Sequence, residues 1–266
     1  MGMGAAPDAI MAAGLGEALS QAGINIASQH RIEIEWEGED PLGPILQINR
    51  AVAEAVSQAA AIGLLPVILG GDCMLALGII AGLAAARPGQ KLGVAWFDAH
   101  GDFNTPEISE TGFLPGMPLA CLTGHGLQDL RKNLDIETLD ENHVILLGVR
   151  DLDPQEKELL EATPISYLSP ADVEKEHTQV VAEHHFRNVA GLYLHLDVDV
   201  LDPSAMPGTD YRTPKGLSPE TMHAAIQSVK AVQPIVAIAL TGLNPEVERT
   251  QSVDTAIQLL TTAVHD

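Results

Sequence analysis

Aromatic residues are scarce in this chain of 266 residues, which has four Phe, two Trp and three Tyr. Hydrophobic residues nevertheless make up 46% of the sequence, so the core must be built mainly from Ala, Val, Ile and Leu. That composition is typical of buried parallel strands covered by alanine-rich helices. The chain is long enough for one large core, and no linker or internal repeat divides it. We therefore predict a single domain over residues 1–266.

Basic residues are also few. Lys and Arg together number 14 against 36 Asp and Glu, which leaves a formal net charge of −22 at pH 7. This balance argues against nucleic acid and an anionic membrane surface as partners. It favours cationic ligands and metal ions. The same acidity could serve solubility alone, because the charges are spread along the whole chain.

Only two cysteines occur, Cys73 and Cys121. They cannot form a disulfide framework, so a reducing compartment is expected. The N-terminal segment lacks the basic and apolar regions of a signal peptide. The longest nearly uncharged stretch, residues 59–71, is too short to cross a bilayer and contains Pro66. We therefore predict a soluble, cytoplasmic protein without a membrane partner.

Hydrophobic periodicity divides the chain into alternating helices and strands. Helices are predicted over residues 7–22, 45–62, 76–86, 118–123, 154–161, 170–187, 218–230 and 253–264. Strands are predicted over residues 24–27, 64–69, 92–98, 144–147, 165–168, 192–198 and 235–240. This alternation predicts a right-handed parallel α/β sheet, in which ligands bind beyond the carboxyl ends of the strands.

Two predicted strands run into clusters of acidic and imidazole side chains. Residues two apart in extended backbone point the same way, so each cluster can converge on one point. The clusters are Asp98, His100 and Asp102, and then His195, Asp197 and Asp199. Either cluster alone is explained by a polar loop. Together, so many acidic groups at strand ends would repel each other unless cations bound there, which favours a divalent metal site.

Four short motifs occur in the order typical of a known family. They are GGDC at 70–73, DAHGD at 98–102, DVDVLDP at 197–203 and LNPE at 243–246. On these motifs the chain resembles the ureohydrolases, the family of arginases and agmatinases, over essentially its whole length. The resemblance implies a three-layer α/β/α fold with a mainly parallel central sheet. It also implies a two-metal site, usually of manganese, that hydrolyses linear guanidines or amidines with release of urea, in a homo-oligomer that is a trimer or hexamer.

The same resemblance implies which side chains hold the two divalent ions. Two of them bridge both ions, and two more complete the coordination of each ion. The bridging pair is Asp98 and Asp197, one ion adds Cys73 and Asp102, and the other adds His100 and Asp199. A water held between two such ions is acidified and can attack a guanidinium carbon. Asp102 would orient it and pass its proton on.

The loop after the first cluster and the helix over 154–161 resemble the substrate-binding segments of arginases. Asn104, Ser109 and Thr111 would hold an α-carboxylate, while Asp153 and Glu156 would take an α-amino group. The substrate is then a small cationic or amino-acid-like molecule. The alternative for the two acids is a role at the N-terminus of the helix, where negative charge complements the helix dipole.

Cys73 stands where the family usually has His. A thiolate is softer than an imidazole, so Zn²⁺, Fe²⁺ or Co²⁺ compete with Mn²⁺ as the native metal. N-hydroxy-L-arginine hydrolases, which release hydroxyurea, resemble this chain in having Cys at that position, and this activity is the first alternative function. The alternative for Cys73 itself is a buried apolar side chain beside a weakened metal position.

Other departures bear on catalysis. Pro115 replaces the loop His that arginases use for proton transfer, and Gly242 replaces the Glu that binds the guanidinium group. A catalytically impaired metal-binding protein is therefore the second alternative. His195 is an added imidazole two residues before Asp197, and we expect either a catalytic role beside the metals or a hydrogen-bonded core position.

One expectation concerns the start of the sheet. Arginases open with a strand before a glycine-rich segment, and residues 1–7 stand where that segment would lie. The sheet is therefore expected to lack this first strand, unless the start codon is placed late.

Overall fold

The computed structural model of the chain describes residues 2–40, 42–174 and 177–265. Six strands form one sheet in which every neighbouring pair is parallel, in the order β1-β6-β5-β2-β3-β4. The strands are β1 (Val67–Leu69), β2 (Leu92–Phe97), β3 (Val144–Leu147), β4 (Ser166–Leu168), β5 (Gly191–Asp197) and β6 (Ile235–Thr241). The two central strands, β5 and β2, are buried along their entire length.

Helices cover both faces of this sheet. In chain order they are α1 (Ala6–Ala12), α2 (Leu15–Gln21), α3 (Gly43–Ala61), α4 (Ala76–Ala86), α5 (Pro118–Thr123), α6 (Gln128–Asn133), α7 (Pro154–Glu161), α8 (Pro170–Glu174), α9 (Thr178–Phe186), α10 (Pro219–Lys230) and α11 (Thr250–Val264). Buried residues of α1, α2 and α8 to α11 form one hydrophobic cluster, and those of α3 to α7 form another. None of the helices in the described ranges is long and apolar enough to span a membrane.

The alternation of side chains along the strands separates the two clusters. On β2, Val94 and Trp96 face the α3 to α7 layer, whereas Ala95 and Phe97 face the other layer. Successive side chains of a strand point to opposite faces, so a strand buried on both sides is apolar throughout. The predicted three-layer α/β/α fold with a parallel sheet is confirmed.

Two secondary-structure predictions need correction. The helix predicted over 7–22 is two helices, because Gly14 lies between them with a positive φ of 100°. Residues 24–27 do not form the predicted strand, since no neighbouring strand offers them a ladder of hydrogen bonds in the described part of the chain. The stretch predicted to be largely helical over 170–187 contains α8 and α9, as expected, and its residues 175 and 176 lie outside the described residues.

The sheet begins with β1 as far as the structure describes the chain. Among residues 2–40 and 42–66 no strand joins it, and Met1, where the expectation about the first strand begins, lies outside the described residues. β1 itself starts at Val67, later than predicted, because Pro66 has no N–H for the ladder. Cys73, Asp98 and Asp197 follow or end β1, β2 and β5 at the same edge of the sheet.

Candidate metal centre and substrate cavity

Three strands lead into the same local turn, in which an Asp carboxylate accepts the backbone N–H of the residue two positions later. The pairs are Asp72 with Met74, Asp98 with His100 and Asp197 with Asp199, at 2.9, 2.7 and 2.9 Å. Only one oxygen of each carboxylate is used in this way. At Asp98 and Asp197 the other oxygen is directed towards Cys73, so the turn arranges the first ligands of a site.

Cys73 lies at the centre of one group of possible metal ligands. Its Sγ is 3.1 Å from Asp197 Oδ2 and 3.9 Å from Asp98 Oδ2. Burial, then repulsion from Asp102 and Asp197, raises the pKa of the Cys73 thiol well above its usual value. A coordinated divalent ion reverses this preference, because a thiol that binds a metal is deprotonated.

His100 forms a second group with two carboxylates. Its Nδ1 lies 3.2 Å from Asp98 Oδ1 and 3.1 Å from Asp199 Oδ2. Burial alone would lower the pKa of His100, but the hydrogen bonds to Asp199 and Asp98 outweigh burial and raise it to about 12. Without an ion, the proton on this imidazole balances part of the acidic charge. Divalent ions take the place of such protons when they bind.

Four carboxylates are buried within the site. Burial is the main cause that raises the pKa of each of them, repulsion between neighbouring carboxylates adds to it, and Asp197 reaches a pKa of about 7. The four are Asp98, Asp102, Asp197 and Asp199. Charges of one sign are buried together in proteins only when they are neutralised or coordinate a metal. The cluster therefore fits a cationic centre.

Asp102 gives the clearest sign of a missing partner. Its Oδ2 is buried and has no hydrogen-bond partner, which leaves a desolvated acceptor unsatisfied. The backbone adopts a positive φ of 49° at this residue, and the carbonyl accepts the N–H groups of Leu119 and Ala120 at the start of α5. The fold thus holds Asp102 in an unfavourable conformation with one oxygen free, as a metal ligand or a proton acceptor requires.

The predicted site residues, except His195, line one cavity of about 330 Å³. They are Cys73, Asp98, His100, Asp102, Asn104, Ser109, Thr111, Asp153, Glu156, Asp197 and Asp199. Asp98 belongs to both groups of residues whose ligand atoms lie within 4.8 Å of one another, one with Cys73 and one with His100. A carboxylate shared in this way can bridge two ions.

The predicted substrate-binding residues lie on one side of the cavity. Asn104 Nδ2 donates to Asp153 Oδ2 at 3.0 Å, while Asn104 Oδ1 is buried without a partner. The hydroxyl oxygens of Ser109 and Thr111 accept the N–H groups of residues 112 and 113 and so shape their own loop. Each hydroxyl keeps its O–H free to donate to a ligand.

Glu156 is held differently from its neighbours. Its Oε1 accepts the N–H of Phe103 at 2.9 Å, and its Oε2 accepts the N–H of Asp153 at 3.1 Å, which completes a capping box at the start of α7. Both oxygens are therefore engaged by backbone. Glu156 fixes the loop after β2 against α7, as the N-terminal alternative anticipated.

His195 lies behind Cys73 and does not line the cavity. It is fully buried, its Nε2 is 3.3 Å from Cys73 Sγ, and its Nδ1 is 2.6 Å from the hydroxyl of Tyr193. Burial lowers the pKa of His195 to about 3, so the imidazole is neutral. The polar contacts of this imidazole are made with Cys73, Tyr193 and Thr241.

Two residues that were not among the predicted site residues also shape the site. Arg150 donates to the backbone carbonyls of residues 199 and 200 at 2.8 and 3.2 Å and so fixes the chain just after the second cluster. Tyr211 packs against Phe113 and His100, with ring centroids 5.8 and 6.1 Å apart, and forms an aromatic wall. A lone Arg or Tyr in a loop gives no periodic signal from which such contacts could be predicted.

The backbone at Gly242 lies very close to the side chain of Asp197. Its φ is 80°, and a Cβ at this position would lie 2.2 Å from Asp197 Oδ1. No side chain fits there without a shift of the backbone or of Asp197. Pro115 and Phe113 also line the cavity, so the side of the site away from the carboxylates is more apolar than the motifs alone imply.

The chain is similar to known proteins along its full length. The model of the arginase family matches residues 1–265. An arginase of Staphylococcus aureus (strain COL) is 32% identical over 278 residues, which cover 98% of this chain and 91% of the relative. An arginase of Bacillus caldovelox is 34% identical over 225 residues, or 82% of this chain and 75% of the relative. The crystal structure of arginase from Bacillus subtilis superposes with a TM-score of 0.89 at 29% identity, covering 100% of this chain and 93% of that one.

Proposed function

This chain belongs to the arginase family, and from that premise we propose that it hydrolyses a C–N bond of a linear guanidine or amidine at a centre of two divalent metal ions. The observation that carries the proposal is the sharing of Asp98 between two groups of ligand atoms, beside a buried and unpartnered oxygen of Asp102. A pair of ions needs a shared carboxylate, and hydrolysis needs a free proton acceptor next to it.

Six side chains would hold the ions. Asp98 and Asp197 would bridge, Cys73 and Asp102 would complete one position, and His100 with Asp199 would complete the other. When bound, two divalent ions supply an acidified water and the positive charge that the buried carboxylates lack. Mn²⁺ suits the oxygen ligands, whereas Cys73 makes Zn²⁺, Fe²⁺ or Co²⁺ competitive.

Asp102 is proposed as the acid–base residue. Its free Oδ2 can accept a proton from an attacking water and deliver it to the departing nitrogen. Its other contacts, made through the backbone carbonyl to the start of α5, keep the carboxylate in place during that transfer. No loop histidine assists it, because Pro115 occupies that place in the cavity wall.

The substrate is proposed to be a small cation with an amino-acid-like end. Asn104, Ser109 and Thr111 would hold a carboxylate, and Asp153 would take an ammonium group. Glu156 would contribute by positioning Asp153 through its backbone N–H. We also propose that the chain works in the cytoplasm as a homo-oligomer, a trimer or hexamer, and folds as a single domain over residues 1–266.

Two features favour alternative substrates over arginine. Gly242 offers no carboxylate to a guanidinium group, and the thiol of Cys73 lies among the proposed ligands. N-hydroxy-L-arginine, which would release hydroxyurea, is therefore the first alternative substrate. A metal-binding protein with impaired catalysis is the second alternative, because Pro115 and Gly242 both remove groups that assist the reaction.

One assay separates these functions. Protein purified without chelator and loaded with Mn²⁺, Zn²⁺ or Co²⁺ is incubated with arginine, N-hydroxy-arginine, agmatine, guanidinobutyrate and formiminoglutamate, and release of urea, hydroxyurea or the corresponding amide is measured. We expect turnover of at least one compound and a loss of at least about 100-fold in Asp102→Asn. Silence across the panel with two ions bound per chain would leave the metal-binding alternative.

A further inference from the structure

We propose that His195 is itself a metal ligand, and that with Cys73 and Asp98 it forms a position that selects zinc or cobalt over manganese. The proposal rests on the proposed two-metal centre but not on the bond that the enzyme cleaves. It changes the role of His195 from a core histidine to a residue that determines which ion occupies one half of the centre.

The distances among the three side chains suit a single ion. Ligand atoms of Cys73, Asp98 and His195 all lie within 4.8 Å of one another, and Cys73 Sγ is 3.3 Å from His195 Nε2. A tetrahedral zinc ion with ordinary bond lengths separates a thiolate sulfur from an imidazole nitrogen by about 3.6 Å. Small side-chain movements would therefore bring the three atoms into one coordination sphere.

The ring of His195 is already oriented for this role. Trp96 stacks on it with ring centroids 3.6 Å apart and an angle of 9° between the planes. The hydroxyl of Tyr193 lies 2.6 Å from Nδ1, which leaves Nε2 to face Cys73 and Thr241, each 3.3 Å away. A histidine that binds a metal is held in this way, with one nitrogen fixed by a hydrogen bond and the other directed at the ion.

The two halves of the centre then differ in chemical character. Cys73 and His195 supply a soft sulfur and an imidazole nitrogen, which favour zinc and cobalt. His100 and Asp199, around the shared Asp98, supply a set richer in oxygen that suits manganese. The chain is therefore expected to bind two different ions from a mixture, one at each position.

Cobalt is the probe for the first experiment. We load the full chain with Co²⁺ and record the thiolate-to-cobalt absorption together with the proton signals of imidazoles that bind cobalt, which the unpaired electrons shift far outside the ordinary range. Wild type should show shifted signals from two histidines, His100 and His195. His195→Gln should lose one set of signals and bind cobalt at least tenfold more weakly at the position with the thiolate absorption.

Two further variants sharpen the result. Tyr193→Phe keeps the ring of residue 193 but removes the hydroxyl beside Nδ1, and should weaken cobalt binding at the same position about tenfold. His223 is exposed on α10 and hydrogen-bonded to Thr262. His223→Gln is the matched control and should change neither the shifted signals nor the affinity for cobalt. Zinc should displace cobalt from the thiolate position at lower concentration than manganese does.

The outcomes separate this inference from the proposed function. Cobalt bound with thiolate absorption but shifted signals from His100 alone would overturn the role of His195, leaving it as a hydrogen-bond partner of Cys73. This spectrum needs only wild type, so it decides the question even if His195→Gln does not fold. Failure to bind cobalt would overturn the metal centre and this inference together. Two histidine ligands without turnover of any substrate would overturn the hydrolase proposal alone.

Discussion

Glu156 shows how one side chain connects two parts of the site. Its carboxylate receives backbone N–H groups from Phe103, in the loop after β2, and from Asp153, before α7. Only 3% of the residue is exposed, and burial raises its pKa from 4.5 to about 7 despite both hydrogen bonds. The folded state therefore holds the proton more tightly than the unfolded state does. The stability that this group contributes is complete below pH 4.5 and falls as the pH rises towards 7.

We predict that Glu156→Gln destabilises the protein most at low pH. The amide cannot accept from both backbone N–H groups, which costs about 1–3 kcal/mol where wild type is protonated. Above pH 7 wild type must bury a charge that Gln does not carry, so the difference between the two proteins shrinks by up to about 3 kcal/mol. Urea denaturation from pH 5 to pH 8 measures this change.

Glu158→Gln is the matched control, because Glu158 lies exposed on the same helix. We expect its unfolding free energy to stay within about 0.5 kcal/mol of wild type throughout. A difference between Glu156→Gln and wild type that is constant from pH 5 to pH 8 would contradict the raised pKa of Glu156.

The two-residue spacing in the sequence was enough to predict which carboxylates and imidazoles lie close together. It did not predict which side chains surround them. Asp98 and His100 are two apart at a strand end, and this period brought them together as expected. Trp96 points to the same side of its strand as Asp98, and Tyr193 to the same side as His195. An aromatic residue in an apolar run is nevertheless predicted only to be part of the core. Contacts such as the stacking of Trp96 on His195 depend on the pairing of β2 with β5, which the sequence does not state.

Among the helices, α3 and α4 approach each other unusually closely. Gly82 of α4 faces Ala53 and Val56 of α3, and a Cβ at Gly82 would lie 2.5 Å from the carbonyl oxygen of Ala53. Asn49 of α3, fully buried, accepts the N–H of Gly78 at 2.6 Å. That N–H belongs to the first turn of α4, where it has no partner within its own helix. In the chain, α3 comes before β1 and α4 comes after it. The packing of the two helices therefore fixes the segment between them, which contains β1 and Cys73.

We predict that Gly82→Ala destabilises the protein by about 1–3 kcal/mol, because the added methyl group overpacks the contact between α3 and α4. Gly16→Ala should do the reverse and stabilise it by roughly 0.5–1 kcal/mol, since Ala suits a helix better than Gly. A Cβ at Gly16 would meet its nearest neighbour, Ile26, at 3.7 Å, which is an ordinary contact. The free energy of unfolding of each variant is measured in urea. Equal changes in the two variants would contradict the close approach of α3 and α4 at Gly82.

Helices and strands could be predicted where a strong hydrophobic period coincided with residues that are typical of the start or end of an element. The segment from Pro154 to Glu161 has a Pro, a preceding Asp and a Glu in capping-box positions, and it forms α7 with those bounds. The break at Gly14 was missed because the apolar period continues across it. The strand expected over 24–27 was wrong because alternation describes a strand only when a neighbour is present to pair with it.

For the whole molecule, alternation of helices and strands predicted a parallel sheet in three layers, but not the order of its strands. Neighbouring strands β5 and β2 are brought together by the crossover that follows β4, and nothing local in the sequence marks that choice. The order matters for the site, because it places Asp197 beside Asp98 at the centre of the sheet. Part of the acidic excess behind the net charge of −22 is therefore concentrated in the site, because four carboxylates are buried where these strands end.

The buried charge makes the stability of the metal-free protein depend on pH, and the sign follows from the pKa shifts. Burial raises the pKa of Asp98, Asp102, Asp197 and Asp199 above 3.8, and that of Asp197 to about 7, so between these two pH values the folded state binds more protons than the unfolded state. Against the effect of burial, hydrogen bonds to Asp199 and Asp98 raise the pKa of His100 to about 12, and this group also holds its proton more tightly when folded. The carboxylates therefore lower the stability of the metal-free protein as the pH rises above 3.8, and His100 lowers it further as the pH rises from 6.5 towards 12.

We therefore predict that metal removal costs most at alkaline pH. Divalent ions replace the protons of the site, so at pH 8.5 each ion, supplied at 100 times its dissociation constant, should raise stability by about 2.7 kcal/mol, or roughly 5–10 °C in melting temperature. At pH 5.5 protons compete for the same ligands and the gain should be much smaller. Melting curves of chelator-treated and metal-reloaded protein at both pH values measure this gain. Asp199→Asn removes one of the four carboxylates and should reduce the difference between the gain at pH 8.5 and the gain at pH 5.5. A metal-induced gain at pH 5.5 as large as that at pH 8.5 would show that these carboxylates do not hold the ions.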